Sequence, residues 1–458
     1  MGTITGFGSV VVNGVRFDDR GAMVTIDDQP ATSAQLRVGM VVAVEGRVNA
    51  CPNADTAVCD GIATRIRFRN NLEGPITTLN RLSNTLQVMG RDIVVDDETA
   101  FDGGAVVDLG GFGVGDVVAV SGLSEQNRLR ARLVQRIGPF VDGTTPIMVH
   151  GLVAHLDAAL GTCAVDGVQV RFQGLGDANL PAGGLADGQY VQVQGRSYGS
   201  GLMTADRIQL RDRISTPDAS LVELEGYVSA FVSVADFAVD GQRVDASSAI
   251  YRNGTAADLT DGARVEVEGT VVGAVLVARK LIFRLEASAQ IVAPIQGKDV
   301  PAGSLVLLGQ RVATTPLTQY TDHATGSGRP NRSIGYADLT LTDRVDVRAY
   351  QDGSGQLVAT RVERTEADPL LIARGAVDAK APLTSLTLLG IDVSTSAMTR
   401  YRDSLGLPIS DVAFYALVQV PPALPTVVRA QGVAGATSAS TIDATRATST
   451  RGEVEIAR

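Results

Sequence analysis

The 458-residue chain has no tryptophan, and aromatic residues make up only 4% of it. Its core must therefore be built from Val, Leu, Ile and Ala, which help to bring the hydrophobic content to 45%. No apolar run reaches the roughly 18–20 residues that span a bilayer. Basic residues are also in deficit, with a net charge of −10. This balance argues against a protein that follows nucleic-acid phosphates, and weakly against one that binds anionic membranes.

Catalytic and metal-binding motifs are scarce as well. Gly195–Gly199 matches G-x-S-x-G, but it lies between two strand-like runs, whereas a nucleophile elbow requires a strand-to-helix turn. The acidic cluster Asp96-Asp97-Glu98, with Asp102 beyond it, lacks the spacing of a calcium loop, and a solvated edge is the favoured interpretation. The sequence therefore predicts no enzyme, no cofactor, and no catalytic, cofactor-binding or metal-binding residues.

The chain has three cysteines and three histidines. Cys51 and Cys59 flank a polar loop, CPNADTAVC, between two strand-like runs. A disulfide across this loop would imply an oxidising compartment, and we favour it over two free thiols. Cys163 lies in an apolar strand, where a small buried residue is expected. His150 and His155 fall on opposite faces of one strand, and we expect them to be exposed or to satisfy turns.

One signature recurs six times along the chain: an apolar strand, a residue pair ending in glycine, and another strand. Asn-Gly or Asp-Gly between alternating strands is a strong hairpin signal, because both turn residues need positive φ. Three copies have such a pair, and successive turn glycines are 68–81 residues apart. The six turn glycines are Gly14, Gly90, Gly167, Gly241, Gly309 and Gly390.

Other elements keep the same phase, so each copy contains five strands. A glycine opens the first strand, as in GTITGF and GLVAHL; the fourth strand ends in glycine, as in VVAVEG; and the closing strand carries an alanine. The sequence predicts an all-β tandem array of about six small five-stranded OB-like β-barrels with little or no helix. Between strands three and four we expect a loop or a single turn. A small two-sheet sandwich is the alternative.

Clusters of Pro, Gly, Thr and Asp mark the domain boundaries. The joins between copies are short, so we expect neighbouring barrels to touch and to stack end to end as a rod. The fifth and sixth copies diverge and carry long inserts. The predicted barrels span residues 1–69, 70–138, 147–212, 221–286, 289–367 and 370–450, followed by a strand-like C-terminal tail at 451–458.

The order of these motifs resembles the bacterial domain-of-unknown-function family numbered 5666. The resemblance is clearest at TCAVDG with DGQYVQVQG and LMTADRI, and at GVGDVVAVSG with LRARLV. It covers residues 2–285 well and 289–447 loosely. The resemblance implies a small β-barrel and export from the cell, with a leader that has been removed. It implies no activity.

These observations favour a non-catalytic structural or scaffold protein of the bacterial envelope or cell surface. It would be exported to the periplasm, the surface or the medium, and would self-assemble into a homo-oligomer or filament by β-strand pairing. The C-terminal tail or the first strand would supply the pairing edge. The alternative is a module that binds a polysaccharide or small ligand on one or more barrels. Nucleic-acid partners and membrane insertion are not expected.

Overall fold

The computed structural model describes residues 1–6, 9–49, 58–81, 83–103, 108–211, 221–324, 334–435, 440–444 and 452–457. Over these residues the chain is nearly all β, with one α-helix. It divides into two compact units. The first contains barrels 1 to 4 and extends to Leu285, and the second begins at Glu286 and contains barrels 5 and 6.

Each barrel has an opening strand, a hairpin of two short strands, a fourth strand and a closing strand, with short additional strands in several copies. Barrel 1 contains β1 Gly2–Gly6, β2 Val10–Val12, β3 Val15–Asp18, β4 Met23–Ile26, β5 Gln29–Ala31, β6 Val41–Val48 and β7 Cys59–Phe68. Barrel 2 contains β8 Leu72–Asn80, β9 Thr85–Val88, β10 Arg91–Val94, β11 Ala100–Asp102, β12 Asp116–Glu125 and β13 Arg128–Pro139. Barrel 3 contains β14 Ile147–Asp157, β15 Thr162–Val165, β16 Val168–Arg171, β17 Tyr190–Gly199 and β18 Leu202–Leu210. Barrel 4 contains β19 Leu221–Ser233, β20 Asp236–Val239, β21 Gln242–Asp245, β22 Ile250–Arg252, β23 Arg264–Val272 and β24 Val275–Phe283.

The second unit repeats this plan twice. Barrel 5 contains β25 Ala289–Pro294, β26 Gly297–Asp299, β27 Ser304–Leu307, β28 Gln310–Ala313, β29 Gln319–Asp322, β30 Arg344–Gln351 and β31 Leu357–Thr365. Barrel 6 contains β32 Leu371–Ala381, β33 Ser385–Leu388, β34 Ile391–Ser394, β35 Arg400–Arg402, β36 Pro408–Ile409, α1 Asp411–Leu417, β37 Val427–Ala434, β38 Thr441–Asp443 and β39 Glu453–Ile456.

Every barrel closes by the same ring of pairings. In barrel 4, β19 pairs antiparallel with β20 and β23, β20 pairs with β21, and β23 pairs with β24. The ring closes because β21 runs parallel to β24, and the corresponding parallel pair is present in the other five barrels. This closure confirms the predicted class, a tandem array of five-stranded closed barrels, and excludes the two-sheet sandwich.

The six hairpin turns share one backbone conformation. The turn glycines have φ between 72° and 83°, and the residue before each has φ between 45° and 53°. Three of those preceding residues are Met89, Leu308 and Leu389, for which a left-handed conformation costs about 1–3 kcal/mol. All three side chains are buried, and Met89 and Leu389 fold over the opening glycines Gly74 and Gly375. Burial of apolar surface thus offsets the backbone cost in these copies.

A β-bulge explains the glycine at the end of the fourth strand and the alanine of the closing strand. Gly122 lies opposite Ala131, while Ser121 lies opposite Leu133, so Arg132 is the extra residue of the bulge. The two strands approach so closely that a Cβ on Gly122 would lie 2.3 Å from the carbonyl oxygen of Arg130. Equivalent glycine–alanine pairs are Gly46 with Ala63, Gly195 with Ala205, and Gly269 with Ala278.

The position between the third and fourth strands holds a short turn in most copies. A 3-10 helix occupies it in barrels 1 to 5, and α1 occupies it in barrel 6. Ser410 caps α1 by accepting a hydrogen bond from the amide of Ala413. Phe414 and Tyr415 on α1 are buried against Tyr401, so the helix closes the base of barrel 6.

The C-terminal tail belongs to barrel 6, which corrects the expectation that it extends beyond the last closing strand. β39 pairs antiparallel with β37 and parallel with β35. Val454 is fully buried in the core of the second unit. The closing strand of barrel 6 is therefore formed by two segments, β38 and β39, and the tail already has its strand partners within the same chain.

Opening strands also join barrels to one another within each unit. β8 of barrel 2 pairs antiparallel with β14 of barrel 3, where Glu73 lies opposite Met148. β25 of barrel 5 pairs in the same manner with β32 of barrel 6, where Gln290 lies opposite Arg374. The two barrels of each pair thus share one continuous sheet.

Candidate functional site: a buried junction of three barrels

The opening strand of barrel 4, β19, has charged residues on a face that is not exposed to solvent. Its side chains alternate, with Val222 and Leu224 packed in the barrel core and with Glu223, Glu225 and Tyr227 on the outer face. Glu225 and Tyr227 are only 1% and 2% exposed. A carboxylate is rarely buried unless it is paired, so other parts of the unit must cover and neutralise this face.

Arg264, on the neighbouring strand β23, connects barrel 4 to barrel 2. It lies opposite Tyr227 in the strand register. Its Nη2 donates a hydrogen bond of 2.5 Å to Oε1 of Glu225. Its Nη1 donates to Oε2 of Glu98, which belongs to barrel 2. One buried guanidinium therefore bridges two barrels that are not adjacent in the sequence.

Arg132 completes the network from the side of barrel 2. It is the bulged residue of β13, and its side chain is 1% exposed. It donates hydrogen bonds to Asp96 at 3.2 Å, to Glu98 at 3.1 Å and to the hydroxyl of Tyr227 at 2.8 Å. The bulge thus turns Arg132 toward barrel 4, where the hydroxyl oxygen of Tyr227 accepts a hydrogen bond from it.

The charges in this network stay ionised because each has an opposite partner. Burial alone would raise the pKa of Glu225, but attraction by Arg264 and Arg284 holds that pKa well below its usual range. Burial likewise opposes the ionisation of Asp96, and Arg132 and Arg264 still lower its pKa. The network is therefore a set of fixed ion pairs, not a group of acids and bases poised to exchange protons.

Barrel 1 closes the third side of the junction. The amide of Thr3 on β1 donates to Oε2 of Glu225 at 2.8 Å, and the amide of Val41 on β6 donates to the hydroxyl of Ser121 on β12 at 3.0 Å. Gly39 has φ +89°, and a Cβ there would lie 2.2 Å from the carbonyl oxygen of Arg132. Barrel 1 can approach barrel 2 this closely only because a glycine stands at this point.

Barrel 4 therefore contacts barrels 1 and 2, neither of which precedes or follows it directly. The expected stack, in which each barrel touches only its neighbours along the chain, is wrong for the first unit. The physical reason is that the outer face of β19 carries a buried carboxylate, Glu225, to which the Thr3 amide of barrel 1 donates a hydrogen bond. Its ion-pair partner Arg264 also binds Glu98 of barrel 2. The Asp96–Glu98 cluster, expected as a solvated edge, is likewise part of this buried network.

A second polar junction lies where barrels 1, 2 and 3 meet. His150 on β14, expected to be exposed or to satisfy a turn, is buried, and its Nδ1 donates to the carbonyl of Asn70, in the segment between β7 and β8, at 2.8 Å. Burial lowers the pKa of His150 to about 4. Burial, with a smaller contribution from Asp27, raises the pKa of Glu73 to about 7. Arg211 of barrel 3 pairs with Asp28 of barrel 1 at 2.8 Å.

The remaining sequence-predicted residues lie apart from these junctions. Cys59 is disulfide-bonded and Cys163 is a buried free thiol, whose pKa burial raises to about 11. Cys51 lies outside the described residues, so its pairing with Cys59 stays a prediction. Ser197 of the G-x-S-x-G match lies on β17 opposite Thr204 of β18, within an antiparallel hairpin and not at a strand-to-helix turn.

The described residues contain neither a cluster that could bind a metal ion nor a helix that could span a membrane. In that part of the chain, no group of three or more His, Cys, Asp or Glu side chains could hold a metal ion. In the same residues, none of the helical segments has both the length and the apolar character needed to cross a membrane.

The residues that build the main junction could not be singled out from the sequence. Arg132, Glu225 and Arg264 alternate with apolar residues as solvated strand residues do, so their pattern carries no sign of burial. The one local signal is the bulge, because Arg132 directly follows the closing-strand alanine Ala131.

The chain is built of closed five-stranded barrels that recur along the sequence and share sheets within each unit. These features define a tandem-repeat β-barrel protein. The chain belongs to the family described as Domain of unknown function (DUF5666). The family model matches residues 1–51, 73–135, 150–209, 225–281 and 293–363, which together make up about two thirds of the chain. Barrel 6 lies outside the matched regions.

Other comparisons add little. A search of curated proteins gives no match. Among solved structures, the chain is similar to one titled "drosophila Unr CSD456", with 14% sequence identity over 49% of this chain and 98% of that chain. The TM-score of this match is 0.12. A likeness of this size does not bear on the function of the chain.

Proposed function

We propose that the protein is a non-catalytic structural protein, exported by a bacterium to the envelope or cell surface, where it acts as a self-associating scaffold. Its role would be to hold barrels in a fixed arrangement, and its main partner would be another copy of itself. Family membership in DUF5666 brings no activity with it.

The observation that carries this proposal is the buried network of Arg132, Glu98, Arg264 and Glu225. Domains within a chain move relative to one another by default, unless their interface is large or strongly determined. Buried ion pairs tolerate little displacement, because a charge that loses its partner inside a protein costs several kcal/mol. Barrels 2 and 4 are therefore held in one orientation, which is the property that a scaffold needs.

The location of the perturbed groups supports the same conclusion. In enzymes, groups with strongly shifted pKa values gather in clefts, where they meet substrate. Here Glu225, Asp96 and His150 lie between barrels, where they bind other parts of the chain. Export is supported by the disulfide at Cys59, because disulfides persist chiefly in oxidising compartments.

The proposal is tested in the bacterium that produces the protein. Antibodies against the chain are used for cell fractionation and for immunogold electron microscopy, with and without protease treatment of intact cells. We expect label at the envelope or surface, arranged in clusters or linear arrays, and loss of label on protease treatment. A reduced, evenly distributed cytoplasmic protein would contradict the proposal. A specific hit on a glycan array would favour a polysaccharide-binding module instead.

A further inference from the structure

The outer face of barrel 4 changes character along its length. Near the junction it carries the buried charges, but at the far end of the β23–β24 hairpin it is apolar and open. Leu221 lies opposite Thr270, Thr270 lies opposite Val277, and Val272 lies opposite Val275. Leu221, Val272 and Val277 are 64%, 61% and 42% exposed. We call these five residues the barrel 4 tip face.

The equivalent face of barrel 2 is already an interface within this chain. The bulge pairs Gly122–Ala131 and Gly269–Ala278 align the two hairpins, so that Leu123 corresponds to Thr270. Leu123 is only 2% exposed, because barrel 4 packs over this part of barrel 2, with β12 against β19.

The residues that correspond to the two exposed valines are charged in barrel 2. Glu125 takes the place of Val272, and Arg130 takes the place of Val277. Glu125 and Arg130 form an ion pair at 2.9 Å, and the Arg130 guanidinium lies 5.4 Å from the centre of the Tyr227 ring. Barrel 4 thus presents an apolar version of a surface that, in barrel 2, binds another barrel.

The chemistry of the tip face suits contact with an identical face. Its centre carries no charge, and its rim carries both signs as ion pairs, Arg243 with Asp236 at 2.9 Å and Arg279 with Glu268. Two such faces can meet without like charges in the centre. Rim charges of both signs allow each copy to place an acid near a base of the other. Flat faces of β-branched residues pack well in sheet-on-sheet contacts about 10 Å apart.

We propose that the barrel 4 tip face is the docking surface for a second copy of this chain, joined face to face about a two-fold axis. The proposal rests on the self-association included in the proposed function, and it names the surface and the geometry. Identical surfaces that meet in this way form closed dimers, the commonest symmetry of soluble oligomers. Five side chains fall short of the roughly 800 Å² per partner in a stable complex, so the dimer is weak and depends on protein concentration.

The test is analytical ultracentrifugation of the full chain over a concentration series. Val277→Glu places a charge at the centre of the face, and Val277→Lys places the opposite charge there. Leu160→Glu is the control, because Leu160 is 63% exposed, against 42% for Val277, and lies in the turn between β14 and β15 of barrel 3, whose sheet is separate from that of barrel 4. Thermal unfolding of each variant verifies that the exposed substitution leaves the fold intact.

We expect the wild type and L160E to dimerise reversibly, and each Val277 variant alone to weaken association at least about tenfold. An equimolar mixture of V277E and V277K should recover association, because unlike charges meet only if the face contacts its own copy.

If the variants weaken association and the mixture does not recover it, the face-to-face geometry is wrong and the partner surface lies elsewhere on the second copy. If the variants associate like the wild type, the tip face is not the docking surface, while the scaffold proposal stands. A wild type that remains monomeric at every concentration would overturn both.

Discussion

Arg264 of barrel 4 donates a hydrogen bond to Glu98 of barrel 2, although the two residues are 166 positions apart in the sequence. The pair is surrounded by Arg132, Glu225 and Tyr227, and little solvent reaches it. It joins two barrels that are separated along the chain by a complete third barrel. The structural role proposed for the protein depends on contacts of this type.

Removal of the arginine should therefore destabilise the first unit strongly. Arg264→Ala leaves Glu225 buried without its ion-pair partner and leaves Glu98 with Arg132 alone. We expect a loss of about 3–5 kcal/mol in the free energy of unfolding. Urea denaturation measures it. The control is Arg279→Ala on the same barrel, because Arg279 is 68% exposed and its ion pair with Glu268 should contribute less than about 1 kcal/mol. Equal losses in the two variants would mean that the buried network does not hold the unit together.

Because the two strands approach closely at the bulge, the addition of a single methyl group there should lower the free energy of unfolding. Gly122→Ala would place a Cβ 2.3 Å from the carbonyl oxygen of Arg130, so that one strand has to move. We expect a destabilisation of about 1–3 kcal/mol, as for overpacked sites in general. Gly199→Ala is the matched control, since a Cβ there has no atom within 4 Å. A Gly122→Ala protein as stable as the control would show that the bulge can relax without cost.

Glu73 should make stability depend on pH in a defined direction. Its pKa is about 7 in the folded protein, against 4.5 as the ordinary value, so the folded state holds the proton more tightly. Its contribution to stability is complete below about pH 4.5 and is lost as the pH rises through 7. Glu73→Gln should therefore stabilise the protein by about 3 kcal/mol at pH 8 and have little effect at pH 4.

Denaturation at pH 4, 6 and 8 provides that measurement. Glu366→Gln, at an exposed position, is the control and should have only a small effect on stability. A Glu73→Gln effect that is the same at all three pH values would contradict the prediction.

The C-terminal strand should be required for barrel 6 and not only for contacts with other molecules. Truncation before Gly452 removes β39, which pairs with β35 and β37 and buries Val454. We expect faster amide hydrogen exchange in β35 and β37 of the truncated protein. The opening strand of barrel 5, β25, does not pair with β39 and serves as the internal reference. Unchanged exchange in β37 would mean that β39 contributes little to the barrel.

The sequence by itself determined the order of the five main strands and the position of the hairpin turn in each copy, but not the short additional strands such as β4 and β22. These features follow from local rules: alternation with period 2, positive φ at Asp166-Gly167, and the repeated phase of glycine and alanine. Where a local signal was absent, as at Leu308-Gly309, the repeat itself located the same turn.

Only the tertiary structure decided which outer faces are buried and which strands meet. Glu225 and Glu268 both lie on the outer face of barrel 4, yet only Glu225 is enclosed by other barrels. An alternating strand looks the same in sequence whether water or another barrel covers its polar side. The burial of Glu225 depends on a hydrogen bond from the Thr3 amide of barrel 1, 222 positions away, and the enclosure of β39 depends on a strand register. Both therefore require contacts between residues far apart in the chain.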